Sequence, residues 1–316
     1  MRTNTIRYSI GIDMGASNVR VGLLDAGGVL IEKRKADIRE LKADNSATLR
    51  FVRAEAEAVV RDARLALPDI GFIGLGIPGT VDDSAKRISF APNLGWRDVP
   101  VGRSFAGFPG AELTLVQDAR AAAFAEYLLG AGKGDPIVAC ITLGTGIGLG
   151  IIVDGKVFRG AFNTSGEMGH MIVQENGLAC GCGQLGCLEA YCSGTAIMNA
   201  ARLAGAGLGP GEGPRSAEEV FQKARDGNSA AGEIIGHAAR CLGIGIVNLV
   251  NLLSPNAVIL SGGMCEQEEL FIRPVRDYVF SHAYSLSVQA PGFRIVKAIL
   301  GEDAPMIGAG MIYKGT

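Results

Sequence analysis

Aromatic side chains are scarce: Phe, Trp and Tyr together make up 6% of the chain, with a single Trp. A core of this composition cannot rest on rings. It must rest on Ala, Val, Ile and Leu, which suits helices laid on a mostly buried sheet. Net charge is nearly absent, −2 over 316 residues, and no dense Lys/Arg run occurs. Electrostatics therefore gives no reason to expect a nucleic-acid or membrane-surface partner. No uninterrupted apolar stretch is long enough to span a bilayer. The longest candidate, 243–253, carries Asn248 and Asn251, and the run from Ile6 to Leu24 is broken by Asp13, Asn18 and Arg20. No signal-peptide core follows Met1, so the expectation is a cytoplasmic protein.

Glycine, by contrast, is abundant, with 46 residues in short G-x-G punctuation. That pattern indicates tight strand-to-loop turns near ligands. The length favours two lobes, each able to bury a core. Of the seven Cys, three are bunched as Cys180, Cys182 and Cys187. In a reducing compartment such a cluster reads as a metal site before a disulfide. Cys140, Cys192, Cys241 and Cys265 sit among apolar neighbours and read as buried small hydrophobes.

The chain opens with an alternating strand, 8–13, then a Gly-rich turn, 14–18, a second strand, 19–24, a hairpin turn at 25–28 and a third strand, 29–34. A helix is expected over 46–66, capped by Ser46, with Leu49, Val52, Val59 and Val60 on its apolar face. Strands are expected at 70–78 and 113–116, with an Ala-rich helix over 119–129. The opening pattern then returns: strand 136–143, turn 144–150, strand 151–153 and a hairpin turn at Asp154-Gly155. This is a weak internal repeat. Helices follow from 217 and over 232–253, then strand 257–260, strand 295–298 and a last helix, 305–313. The tract 205–214 reads as a loop. Gly-rich turns of this kind offer backbone N–H groups to phosphate, although most such turns are only turns.

The strongest chemical signal is Glu167-Met168-Gly169-His170 followed by Cys180-Gly181-Cys182 and Cys187-Leu188-Glu189. His170 and the three Cys supply a closed Cys₃His zinc set, structural because no position is left for water. The bland alternative is three ordinary Cys in a loop, but four such donors at close spacing rarely coincide. Glu167 and Glu189 flank the set. Rigid carboxylates suit paired sugar hydroxyls, although surface glutamates would read the same way.

The ensemble resembles the ROK family of sugar kinases and sugar-responsive repressors, in its glucokinase-like branch. The resemblance rests on 13–18 (Asp-Met-Gly-Ala-Ser-Asn), 76–79 (Gly-Ile-Pro-Gly), Pro92-Asn93, 117–122 (Gln-Asp-Ala-Arg-Ala-Ala) and 143–148 (Leu-Gly-Thr-Gly-Ile-Gly). It continues through the two zinc-flanking segments and Ser261-Gly262-Gly263, in family order over most of the chain. It implies an α/β, two-lobed actin-like ATPase (ribonuclease H-like) fold with the active-site cleft between lobes. The small lobe would be 1–117 plus 304–316, and the large lobe 118–303, with the zinc.

The implied reaction is ATP-dependent phosphorylation of a hexose, glucose at its 6-hydroxyl leading, with Mg²⁺. Asp118 is implied as general base, although an Asp before a helix is equally an N-cap. Gly79, Asn93, Gln117, Asp118, Glu167, His170 and Glu189 are implied sugar contacts. Asp13, Gly15, Ala16, Ser17 and Asn18 are implied at one phosphate site, with Asp13 also toward magnesium. Gly144, Thr145 and Gly146 are implied at a second phosphate site, and Gly262 and Gly263 at the nucleotide, which favours ATP over polyphosphate. The family commonly has Asn where this chain has Gln117, a longer amide that bears on which hydroxyl is met.

Other acceptors in the family are N-acetylmannosamine, N-acetylglucosamine, allose and fructose. A family repressor carries a helix-turn-helix ahead of the sugar domain, and the few residues before the first strand here leave no room for one. A non-catalytic sugar-binding module is opposed by the presence of both Asp13 and Asp118. A homodimer is also implied.

Overall fold

The computed structural model describes residues 6–205 and 213–315. Most of the loop expected over 205–214 lies outside the described residues. In chain order the elements are β1 (Tyr8–Met14), β2 (Asn18–Asp25), β3 (Leu30–Asp37), α1 (Asn45–Asp62), β4 (Ile70–Ile77), β5 (Thr80–Asp82), β6 (Arg87–Ala91), β7 (Trp96–Pro100), β8 (Glu112–Gln117) and α2 (Asp118–Leu129). Then come β9 (Ile137–Leu143), β10 (Ile147–Val153), β11 (Lys156–Val157), α3 (Glu189–Cys192), α4 (Gly194–Leu203), α5 (Ala217–Arg225) and α6 (Ser229–Leu253). The chain finishes with β12 (Ala257–Ser261), α7 (Arg273–His282), α8 (Ser285–Val288), β13 (Arg294–Lys297) and α9 (Ala304–Met311).

The chain divides into two compact units. The first is Met1–Gly134, Gly150–Ser165 and Ile299–Thr316; the second is Asp135–Leu149 and Gly166–Ala298.

The first unit is built on a sheet of order β3-β2-β1-β4-β8. β1 runs antiparallel to β2 and parallel to β4, which is parallel to β8. β1 and β4 are buried on both faces, as near-continuous apolar runs require, while β3 alternates half-buried and exposed as a sheet edge does. The hairpin turn at 25–28 forms as expected: Asp25 Oδ1 accepts from Gly27 N at 2.8 Å and Val29 N at 2.9 Å. α1 buries Leu49, Val52, Ala56, Val59 and Val60 at helical spacing. Its cap is Asp44, whose Oδ1 accepts from Ala47 N at 3.0 Å, and not the expected Ser46.

α2 and α9 pack on each other, and α9 lies directly on β1 and β4. Glycine makes that approach possible. A Cβ on Gly74 would lie 1.8 Å from Ala309 O, and one on Gly308 1.7 Å from Ala121 O. This packing explains why the division falls elsewhere than the expected 117/118 and 303/304. The Ala-rich α2 belongs with the first unit because its small-residue face is filled by α9, and 150–165 joins it because Gly150 abuts Ala119 and Ala123. A separate sheet, β5-β6-β7, completes this unit.

Glu126 is fully buried at the end of α2. Its Oε2 accepts from Ala131 N at 2.8 Å, and its Oε1 accepts from Ile299 N at 3.0 Å and Leu300 N at 2.8 Å.

The second sheet has the order β11-β10-β9-β12-β13, the same arrangement as the first. β9 is parallel to β12, and β12 to β13. The expected hairpin at Asp154-Gly155 has left-handed φ at both residues, 47° and 80°, and joins β10 to β11. The weak repeat in the sequence is therefore a repeat of strand order.

α6 carries the helical side of the second unit, packed against α3, α4, α5 and α7. It starts at Ser229, earlier than expected, because Asn228 Oδ1 caps it through Ala231 N at 2.9 Å. By length and composition alone α6 is apolar enough to cross a membrane, but 61% of that apolar window is buried inside the protein, as in a core helix.

Candidate active site and metal centre

In the first unit the register of the parallel strands gathers the expected residues at one sheet edge. Asp13 pairs with Gly76 and Ile77 with Gln117, so the carboxyl ends of β1, β4 and β8 lie side by side. This edge is where open α/β sheets bind ligands. Asp118 begins α2 directly after β8, half-buried, and its Oδ1 accepts from Ala119 N at 2.8 Å. Gly79 follows β4 and packs against the Phe90–Ala91 backbone. Asn93 is exposed on the short helical turn Pro92–Leu94 that leaves β6. Gly15, Ala16, Ser17 and Asn18 form the β1–β2 turn, closed by Gly15 N donating to Asn18 O at 2.9 Å and anchored by Ile38 N donating to Ser17 O at 2.8 Å.

The structure adds a residue that the sequence reading left out. Asp13 is opposite Arg20 across the β1–β2 pair, and Arg20 Nη1 donates to Asp13 Oδ2 at 2.9 Å. Arg20 Nη2 also donates to Glu302 at 2.7 Å. Burial pushes the Asp13 carboxyl above its ordinary value, while the Arg20 charge and hydrogen bond pull against it. The signal was available: positions 13 and 20 are equidistant from the centre of the turn, so an antiparallel hairpin must pair them.

In the second unit β9 and β12 end together, with Thr142 opposite Ser261. Gly262 has φ of 105°, and a Cβ there would lie 2.1 Å from Leu143 O, so only glycine lets β12 leave the sheet beside β9. Gly263 follows, exposed. The Gly144-Thr145-Gly146 turn is held on several sides. Gly144 N donates to Gly146 O at 3.0 Å and Gly194 N to Gly144 O at 2.8 Å. Thr195 Oγ1 donates to Thr145 O at 2.8 Å. Glu189 Oε2 accepts from Ile147 N at 2.7 Å. Glu189, expected toward a sugar, thus gives one oxygen to the backbone of this turn.

His170, Cys180, Cys182 and Cys187 converge, each offering one donor atom, with all four atoms within 4.8 Å of one another. Cys180 Sγ is 3.6 Å from His170 Nδ1, and Cys182 Sγ is 3.6 Å from Cys187 Sγ. A zinc tetrahedron with Zn–S near 2.3 Å has edges of about 3.8 Å, so the donor set and its spacing fit such an ion. The loop is shaped for it. Cys180 N donates to Gln184 O at 2.9 Å, and isolated bridges join Ile172 to Cys187 and Ala179 to Leu185. Burial pushes the Cys187 thiol up to about 12, while the Gln184 N–H lowers that of Cys182. Binding a metal would deprotonate these thiols, so affinity rises with pH. Glu167, exposed, stands immediately before the helical turn Met168–His170, and Met168 is buried beneath it.

The sequence matches the ROK family over residues 9–316. It is 32% identical to a glucokinase of Halalkalibacterium halodurans, covering 98% of this chain and 95% of that protein. It is 29% identical to a xylose repressor of Bacillus subtilis, over 96% of this chain and 76% of the repressor. Among solved structures, a ROK family glucokinase from Streptomyces griseus in complex with glucose and AMPPNP matches with a TM-score of 0.77 at 31% identity, covering 96% of this chain and 98% of that one. The two like-ordered mixed sheets are those of the actin-like ATPase fold, and a match running almost end to end places the chain in the ROK family.

Proposed function

We propose that this chain is an ATP-dependent sugar kinase that transfers the terminal phosphoryl group of ATP to a hexose, with glucose and its 6-hydroxyl the leading acceptor. The observation that carries the reading is the position of Asp118 at the carboxyl end of β8, on the same sheet edge as Asp13, in a chain that matches glucokinases over nearly its whole length. Asp118 acts as general base, accepting the proton of the attacking hydroxyl as its oxygen bonds to phosphorus and the bond to the leaving ADP oxygen breaks. Gly79, Asn93 and Gln117 in the first unit, and Glu167, His170 and Glu189 in the second, are assigned to sugar hydroxyls. The β1–β2 turn, Gly144–Gly146 and Gly262-Gly263 are assigned to ATP.

Asp13 is an oxygen donor of the kind a hard cation takes alongside nucleotide phosphates. Magnesium held there supplies charge neutralisation for the phosphates when bound. Zinc on His170, Cys180, Cys182 and Cys187 is structural in this reading: it fixes the loop between Glu167 and Glu189. A homodimer in the cytoplasm accompanies the proposal, on the family resemblance.

The test is coupled ADP release with ATP and Mg²⁺ against glucose, fructose, allose, N-acetylglucosamine and N-acetylmannosamine. Turnover on one sugar is expected. The match to a xylose repressor favours a second reading, a sugar-responsive regulator. Sugar binding by calorimetry with no ADP release from any sugar would select it over the kinase.

A further inference from the structure

Arg120 is 3% exposed on the first turn of α2. Its guanidinium donates to Asn163 Oδ1, to Asn163 O at 3.1 Å and to Ser165 O at 2.7 Å. Asn163 in turn donates from Nδ2 to Val81 O at 2.8 Å, with its backbone in the left-handed region at φ 57°. One side-chain relay therefore ties α2, β5 and the segment 163–165 together. Each tied point is two residues from a residue assigned above to the sugar: Arg120 from Asp118, Val81 from Gly79, and Ser165 from Glu167.

We infer that Arg120 and Asn163 form a positioning clamp for sugar recognition, fixing within the first unit the chain segments that lead to Asp118 and Gly79. The inference rests on the sugar-kinase reading. The rigid fork of the buried guanidinium reaches two carbonyls and an amide oxygen at once. Lysine, a point charge on a flexible stem, has no such fork. Asn163 is equally specific. It tolerates left-handed φ, accepts from Arg120 and donates to Val81, a combination that neither Asp nor Gly reproduces. The bonds described for the relay go to Asn163, Ser165 and Val81, each near a residue assigned to the sugar, so loosening it is expected to act on the sugar before the nucleotide. Misplacing a substrate-orienting group by 1 Å costs up to about 100-fold in rate.

The experiment compares the full-length protein with Arg120→Met, Arg120→Lys and Asn163→Gly. Glycine keeps the left-handed backbone and removes only the side-chain relay, so this variant folds even where Arg120→Met does not. Hydrogen exchange over 159–167, steady-state kinetics in both substrates and calorimetric sugar binding are measured. The expected result is faster exchange in that segment and a sugar KM and Kd raised about ten-fold or more. The KM for ATP stays within about two-fold, and Arg120→Lys falls between wild type and Arg120→Met. An unchanged sugar KM, or equal rises in both KM values, overturns the clamp and leaves the kinase reading standing. A wild-type protein that neither binds nor phosphorylates any sugar of the panel overturns the kinase reading, and this inference with it.

Discussion

Glu126→Gln separates an acceptor's chemistry from its shape. The wild-type carboxylate takes three backbone N–H groups, two on Oε1 and one on Oε2, in a fully buried position. Glutamine keeps the volume but has one carbonyl oxygen. Its cheaper orientation leaves that oxygen on Ile299 and Leu300 and turns the amide NH₂ toward Ala131 N–H, donor against donor. One buried N–H is then orphaned, at about 1–3 kcal/mol. The two remaining bonds lose their charge assistance and about half their strength. The sum is about 2–4 kcal/mol, or a fall in Tm of about 4–8 °C. Thermal denaturation reads the total, and hydrogen exchange at residues 131, 299 and 300 reads the locality. The bonded segments lie within a few residues of the points where the chain passes from one unit to the other, so exchange should rise there before it rises in β1 or β4. A variant with unchanged Tm and unchanged exchange at those amides would refute the reasoning.

Asp118→Asn should lower turnover by about 10²–10⁴-fold while leaving sugar Kd within about three-fold, as calorimetry and ADP release together would show; a variant at wild-type rate removes Asp118 as base. Metal analysis of the purified protein should find about one zinc per chain. After chelation, alkylation at pH 8 should modify Cys182 ahead of Cys187, because the Gln184 N–H lowers the first thiol while burial raises the second to about 12. Cys265, buried and likewise raised to about 12, should stay unmodified in the folded protein; alkylation of Cys265 at the rate of Cys182 would contradict this.

The strands and turns of both sheets were legible wherever an apolar run met a Gly-rich turn, as at β1 and β9. That His170, Cys180, Cys182 and Cys187 would cluster as a candidate donor set was legible from residue type and spacing alone. The sheet β5-β6-β7 was not, since its strands are short and mix exposed charges such as Arg87, Arg97 and Asp98 with buried Ile88 and Val99. The unit boundary was missed for a different reason. The Ala of α2 and the Gly of α9 mark a close helix pair, but sequence does not say which helices pair across so long a separation. Asp13–Arg20 was within reach of hairpin register. The Arg120–Asn163 relay was not, because a loop carbonyl leaves no trace in side-chain pattern.

The packing of α9 also bears on the order of events during synthesis. β1 is synthesised long before α9, yet the surface around Gly11 and Gly74 is completed by Met306 and Ala309. At about 5–20 residues per second, on the order of 15–60 s pass between the two. Throughout that interval the apolar face of the first sheet has no cover from α9, while residues 166–298 emerge and can begin to close upon β9. The packing of the early strands β1 and β4 is thus completed only by a much later helix, and a nascent chain stalled before α9 would present those strands to whatever holdase is at hand.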